Sequence, residues 1–286
     1  MKNKKILFIS LGALVAVGAL VAAFCLSRPK HHLVILHVND THSHFEPVRG
    51  GNRDGLGGII ERAAYIDNVR LADGAENVLL LHAGDFSQGT TYFSELGGDM
   101  EISAINALQY DVVTLGNHEF DNGLEEMARR FSNLKVPCVC ANYDFSSFEV
   151  GKYVKPYAIV EKAGLKIGVI GILCDIRSVV SSEIADRIPS FGTQESLQKW
   201  ADYLKKDEKC DLVIALTHIG YDSGYEGDFT DPSLAAATRN VDLFVGGHSH
   251  TFLEKMESAV NLDGKAVPIV QDGCWGLFVG RVDVDL

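Results

Sequence analysis

The chain has 286 residues, 47% of them apolar and 22% charged, a balance that supports a sizeable core and excludes a disordered, collagenous or coiled-coil protein. Six cysteines are too few for a disulfide-built scaffold. Residues 1–30 carry five basic side chains and no acid, so the rest of the chain holds 21 basic against 38 acidic groups, a net charge of −17 that suits a nucleic-acid backbone poorly.

The basic head MKNKK is followed by nineteen uncharged residues, 6–24, with Cys25 closing the run. This pattern predicts a secretory signal or an uncleaved anchor that spans the membrane with residues 6–26. The basic side stays inside, so the body is expected to be exported to the periplasmic side of the cell envelope. Cys25 adds a lipoprotein reading, although Phe24 stands where lipoprotein processing favours a small residue. Residues 1–30 are therefore read as an address, and residues 31–286 as one domain without an internal linker.

Nearly continuous apolar runs at 33–38, 78–82, 111–115, 136–141, 165–173, 212–217 and 241–245 predict strands buried on both faces. Helix-like segments at 58–72, 99–109, 122–133, 193–207 and 231–239 fall between them. Such alternation implies an α/β fold with crossover helices. Residues 153–161 and 165–173 read instead as an antiparallel hairpin, and 267–271 and 277–286 close the chain as strands. Pro268 cannot donate to a ladder, which predicts a sheet edge or a strand start for the first of these. Mixed sheets are expected.

Polar clusters follow the strands. LVILHV leads into Asn39-Asp40-Thr41-His42, VLLLHA into Gly84-Asp85, and DVVTL into Gly116-Asn117-His118-Glu119-Phe120-Asp121. LVIALT ends at His218, and DLFV leads into Gly246-Gly247-His248-Ser249-His250. Ligands of open α/β sheets bind beyond the carboxyl ends of the strands. Five strand ends would thus bring Asp40, His42, Asp85, Asn117, His218, His248 and His250 to one crevice. Imidazole, carboxylate and amide oxygen together suit Zn, Mn or Fe. Seven ligands exceed one tetrahedral ion but fit two divalent ions about 3.5–4 Å apart that share a carboxylate. Asp40 and Asp85 bring a charge of −2 against +4, and the surplus suits an anionic nucleophile and a phosphate group. His118 follows a ligand directly, and Asp121 is spaced to orient its imidazole, raise its pKa and let it protonate a leaving alkoxide.

Asp40, Gly84-Asp85 and the GNHE block, with histidines downstream, resemble the calcineurin-like metallophosphoesterases. NDTHSH, GDFSQGT, GNHEFDNG, THIG and GGHSH are similar to the N-terminal catalytic domain of the 5′-nucleotidase branch over about residues 33–286. The resemblance implies a four-layer α/β/β/α sandwich. It implies one metal held by Asp40, His42, Asp85 and His250, and a second held by Asp85, Asn117, His218 and His248, with Asp85 as the bridge. It implies that Asn117 and His118 contact substrate and that His118 and Asp121 are catalytic. The implied reaction is hydrolysis of a phosphomonoester, nucleoside 5′-monophosphates first, by metal-activated water. Large members carry a C-terminal domain that clamps the nucleobase. This sequence stops at Leu286, so base specificity is expected from outside it, as from a separate nucleotide-specificity subunit. The alternatives are a general, cyclic-nucleotide or nucleotide-sugar phosphoesterase, and a metal-binding module that acts only with a partner chain.

Other residues read more plainly. His37 and His82 lie inside strands and are taken as core or supporting residues, and His44 has no place in the ligand pattern. Cys138 and Cys140 share a strand face at a separation of about 7 Å, too far for a comfortable disulfide. With Cys174, Cys210 and Cys274 they are expected to be core thiols. Gly55-x-Gly57-Gly58 reads as a turn, and the acidic stretch 222–231 as a solvated loop near His218, placed to close over the site.

Overall fold

The computed structural model describes residues 31–222 and 228–286. The expected signal, anchor and Cys25 lipidation, and the middle of the acidic loop, lie outside the described residues. No helix among the described residues is long and apolar enough to cross a membrane.

Among the described residues, twelve strands form two six-stranded sheets. The first sheet contains β1 (His32–Val38), β2 (Val78–His82), β3 (Val112–Thr114), β4 (Cys138–Val139), β5 (Val154–Lys155) and β12 (Gly280–Asp285), in the order β12-β1-β2-β3-β4-β5. The second contains β6 (Tyr157–Lys162), β7 (Leu165–Leu173), β8 (Leu212–His218), β9 (Leu243–Val245), β10 (Glu257–Val260) and β11 (Ala266–Val270), in the order β10-β11-β9-β8-β7-β6. Strands β1 to β5 run parallel, as do β7, β8, β9 and β11, while β12, β6 and β10 pair antiparallel at the edges. Both sheets are therefore mixed.

The helices are α1 (Ile59–Asp73), α2 (Thr91–Leu96), α3 (Asp99–Leu108), α4 (Gly123–Phe131), α5 (Ser182–Ala185), α6 (Thr193–Lys206) and α7 (Asp231–Ala236). Side chains alternate along a strand, so one strand feeds two cores. In β1, Val34 and Leu36 pack with Ile66 of α1, Ile105 of α3 and Met127 of α4. Leu33 and Ile35 face the other way and meet Ile167, Val169, Ile214 and Leu216 of the second sheet. Beyond that sheet, Ile170, Val213 and Phe244 pack against Leu197 and Leu204 of α6 and Leu234 of α7. Three cores separate four layers, helix, sheet, sheet and helix, as the resemblance implies.

Two strand expectations need correction. The run 153–161 is not one strand: it divides at Pro156 into β5, at the edge of the first sheet, and β6, at the edge of the second. Proline lacks the N–H that would continue a ladder, and the chain changes sheets there. The hairpin itself forms, from β6 and β7 with Tyr157 opposite Ile170 and Lys162 opposite Leu165. Strand β11 is not at an edge, because β10 covers it. Its ladder with β9 starts at Ile269, one residue past Pro268, so the missing donor is not needed there. The described cysteines are free, and all but half-buried Cys174 are buried.

Candidate metal centre

Each polar cluster follows a buried strand, so rigid backbone presents every candidate ligand. The loops that carry them adopt uncommon backbone. Asp40, His42, Asp85, His248 and His250 have φ of 48°, 46°, 52°, 83° and 54°, the left-handed region, at a cost on the order of 1 kcal/mol each. Backbone bonds hold these turns: Asp40 N–H donates to the Gly84 carbonyl at 3.0 Å and His42 N–H to the Asp85 carbonyl at 3.0 Å. Gly116 is required by close approach, since a Cβ there would sit 2.1 Å from Asp85 Oδ1.

Six of the seven candidates converge as two groups. Asp40, His42 and His250 offer ligand atoms within 4.8 Å of one another, and so do Asp85, His218 and His248. Asp85 Oδ2 lies 3.8 Å from His42 Nε2 and 3.1 Å from His218 Nε2, so one carboxylate faces both groups. Asp40 Oδ1 lies 3.3 Å from His250 Nε2 and 3.8 Å from His218 Nε2. Asn117 follows β3 in a buried turn.

The groups behind the ligands aim them. Asp40 Oδ2 accepts from Asn39 Nδ2 at 2.6 Å and from His248 N–H at 2.9 Å, while Oδ1 has no hydrogen-bond partner among the described residues. His218 Nδ1 donates to the Ala83 carbonyl at 2.7 Å, which directs Nε2 toward the carboxylates. His218 Nε2 and Asn117 Oδ1 are buried and unpartnered as well. Three orphaned polar atoms on three candidate ligands are costly unless something binds them. The donor set and the orphans fit divalent cations.

Electrostatics agree. Burial would depress His218, but the facing charges of Asp85 and Asp40 carry it up to about 10. The Asp40 carboxylate likewise raises His250 to about 10. Protons there supply the positive charge that two acids demand, and cations would displace them. Burial lowers His248 to about 4, keeping it in the neutral form that binds metal.

His118 sits at the rim. Its Nδ1 pairs with Asp121 Oδ2 at 2.9 Å, and its ring lies 5.3 Å from that of His42. The hydrogen bond to Asp121 raises its pKa against the opposing effect of burial. His37 and His82 are core residues, lowered by burial to about 4 and about 3. His44 stacks on Trp275 at 4.8 Å.

Sequence reasoning missed the brace beneath the site. Glu119 is fully buried, and its carboxylate accepts from the backbone N–H groups of Asp85, Phe86, Ser87 and Gly116, at 3.0, 3.1, 3.1 and 2.6 Å. It ties the loop after β2 to the loop after β3. Arg130, also fully buried, donates from Nη1 to Ser87 Oγ at 3.0 Å and from Nη2 to the Glu119 carbonyl at 2.9 Å. The position of Glu119 within GNHE was a signal for it; nothing in the sequence marks Arg130.

A two-sheet sandwich with paired histidine and carboxylate groups beyond its strand ends defines the metallophosphoesterase class. Residues 33–252 match the family model described as calcineurin-like phosphoesterase, and the chain belongs to that family. It is 33% identical over 279 residues to a snake venom 5′-nucleotidase of Naja atra, covering 88% of this chain and 50% of the relative. It is 32% identical to an apyrase of Tabanus yao, covering 87% and 47%. A 5′-nucleotidase precursor of Thermus thermophilus superposes with a TM-score of 0.79 at 32% identity, over 88% of this chain and 51% of that one. The chain thus spans about half the length of these relatives.

Proposed function

We propose that the protein is a phosphohydrolase that cleaves phosphomonoesters, nucleoside 5′-monophosphates first among them. The observation that carries this reading is the convergence of Asp40, His42, Asp85, His218, His248 and His250 in two ligand groups beside the His118–Asp121 pair. In this reading Asp40, His42, Asp85 and His250 hold one divalent ion, and Asp85, Asn117, His218 and His248 hold the other. The donor types suit Zn, Mn or Fe.

Two bound ions would lower the pKa of water and neutralise phosphate oxygens. The chain's own groups do the rest. Asp121 accepts from His118 Nδ1, which leaves Nε2 to act as the donor. His118 and the Asn117 amide contact the phosphoryl group, and His118 protonates the departing alkoxide. Glu119 and Arg130 keep the loops in place during the reaction.

Export fits the same reading, with residues 6–26 as a membrane anchor or Cys25 as a lipid attachment site, and the body of residues 31–286 as the catalytic domain. A separate subunit that supplies nucleotide specificity is part of the proposal, tested by co-purification of a nucleobase-binding chain. Metal analysis combined with a phosphoester panel tests the whole. Two ions per chain with hydrolysis of nucleoside monophosphates is the expected result. Two ions with no hydrolysis of any ester would leave a binding module and end the enzyme reading.

A further inference from the structure

The segment after β11, residues 271–275, supplies none of the seven candidate ligands, yet it is bonded to ligand loops of both sheets. On one side it meets the loop after β1. Asp272 N–H donates to Asn39 Oδ1 at 3.0 Å, Asn39 Nδ2 donates to the Gly273 carbonyl at 2.6 Å, and Trp275 N–H donates to the Asp40 carbonyl at 2.6 Å. On the other side the Gln271 side chain reaches the loop after β9, which carries His248 and His250.

Gln271 is buried, and both ends of its amide are engaged. Its Oε1 accepts from Thr251 N–H at 2.6 Å and from Ser249 Oγ at 3.1 Å, and its Nε2 donates to the Gly247 carbonyl at 3.2 Å. These partners are alternate residues of one short loop. The residues between them, His248 and His250, are candidate ligands, and both have positive φ. Residues other than glycine stay in that region only where their surroundings over-determine it. The Gln271 amide does this: it grips the loop at 247, 249 and 251 and leaves the two imidazoles to project. His250 Nε2 then stands 3.3 Å from Asp40 Oδ1, and His248 joins Asp85 and His218. Two donors and one carbonyl converge on this spot. An amide answers them with an acceptor and a donor on one planar group, which neither a carboxylate nor a hydrocarbon can do.

We propose that Gln271 is a positioning residue of the metal centre: by clamping residues 247, 249 and 251 it sets the aim of His248 and His250, one histidine in each ligand group. The inference rests on the metal-centre reading. Groups that orient ligands from behind are worth about 10–100-fold in metal affinity. The loop serves both groups, so loss of the clamp weakens both ions and not one.

The test measures zinc affinity of the full chain by competition with a chromophoric chelator, together with the visible spectrum of the cobalt-loaded chain, which reports ligand geometry. Gln271→Met keeps the bulk and removes the three hydrogen bonds. It should weaken both zinc ions at least tenfold and shift the cobalt spectrum. Leu197→Ala, in the core beyond the second sheet, lowers stability without touching the loop and should leave both affinities within about twofold. Affinities within about twofold of wild type in Gln271→Met, with an unchanged spectrum, would overturn the proposal, as would an equal loss in Leu197→Ala. Should Gln271→Met fail to fold, Ser249→Ala decides, since it removes a single contact of the clamp: zinc affinity about threefold weaker or more supports the proposal, and an unchanged affinity overturns it. A wild-type chain that binds no zinc would instead end the metal-centre reading, and this inference with it.

Discussion

Asp40 shows how a single residue can be prepared to hold a metal ion. One carboxylate oxygen is tied to Asn39 and to the His248 backbone, and the other is left bare in a buried, positively charged surrounding. Its φ of 48° is what points it there. Asp85 is used differently, since its Oδ2 faces histidines of both ligand groups. Asp85→Ala should therefore lose both ions together, measured by elemental analysis after dialysis; retention of two tightly bound ions would contradict the bridge. His118→Ala should keep both ions and lose at least a hundredfold in kcat, the usual scale of a general acid. The proton on His118 is needed, so kcat should fall as pH rises through its raised pKa. Asp121 is the leading cause of that elevation, so Asp121→Asn should move this alkaline limb to lower pH, read from a kcat profile. An unmoved limb would assign it to another group.

At the scale of elements, the site is a set of loops on strands, and the loops need a foundation. Glu119 collects four backbone donors from two of them, and Arg130 on α4 fastens Glu119 and Ser87 from below. Ser87 in turn offers its carbonyl to His42 Nδ1 at 3.3 Å. A path of hydrogen bonds thus runs from α4 to a candidate ligand. Breaking a buried charged group out of such a network is costly, so Arg130→Ala should destabilise the fold by about 3–5 kcal/mol in urea unfolding. A loss under about 1 kcal/mol would show that the network carries little. The strand ends that carry candidate ligands were legible because each of those apolar runs stops at an Asn, Gly or His. The division at Pro156 was not, because a local pattern shows where a strand bends and not which sheet receives each half.

The whole molecule is two sheets whose carboxyl ends share one crevice. Leu33 and Ile35 of β1 and Ile214 and Leu216 of β8 sit in the same core, so the packing that joins the sheets also brings Asp40 to His218. Stability and site geometry are coupled through that core. Ions that bind the folded chain alone should stabilise it by about 2.7 kcal/mol at a hundredfold excess over Kd. Removing them with a chelator should lower Tm by several degrees and restore it on readdition, followed by thermal melting. A Tm indifferent to chelation would mean that the two ligand groups hold no ion in the folded protein.

The amino-acid sequence by itself determined the elements and the chemistry: where apolar runs form buried strands, and which side chains stand at their ends. It did so because burial and backbone periodicity are local, and because the donor types of a metal site are written in residue identity. Only the tertiary structure decided how far apart the donors stand, with Asp85 Oδ2 at 3.8 Å from His42 and 3.1 Å from His218, that Glu119 and Arg130 support them, and that a cavity opens beyond β4 and β7. Those facts depend on how two sheets pack face to face. That is a cooperative outcome of many weak contacts between residues distant in the chain, such as those that set Asp40 beside His250, and no short stretch of sequence contains it.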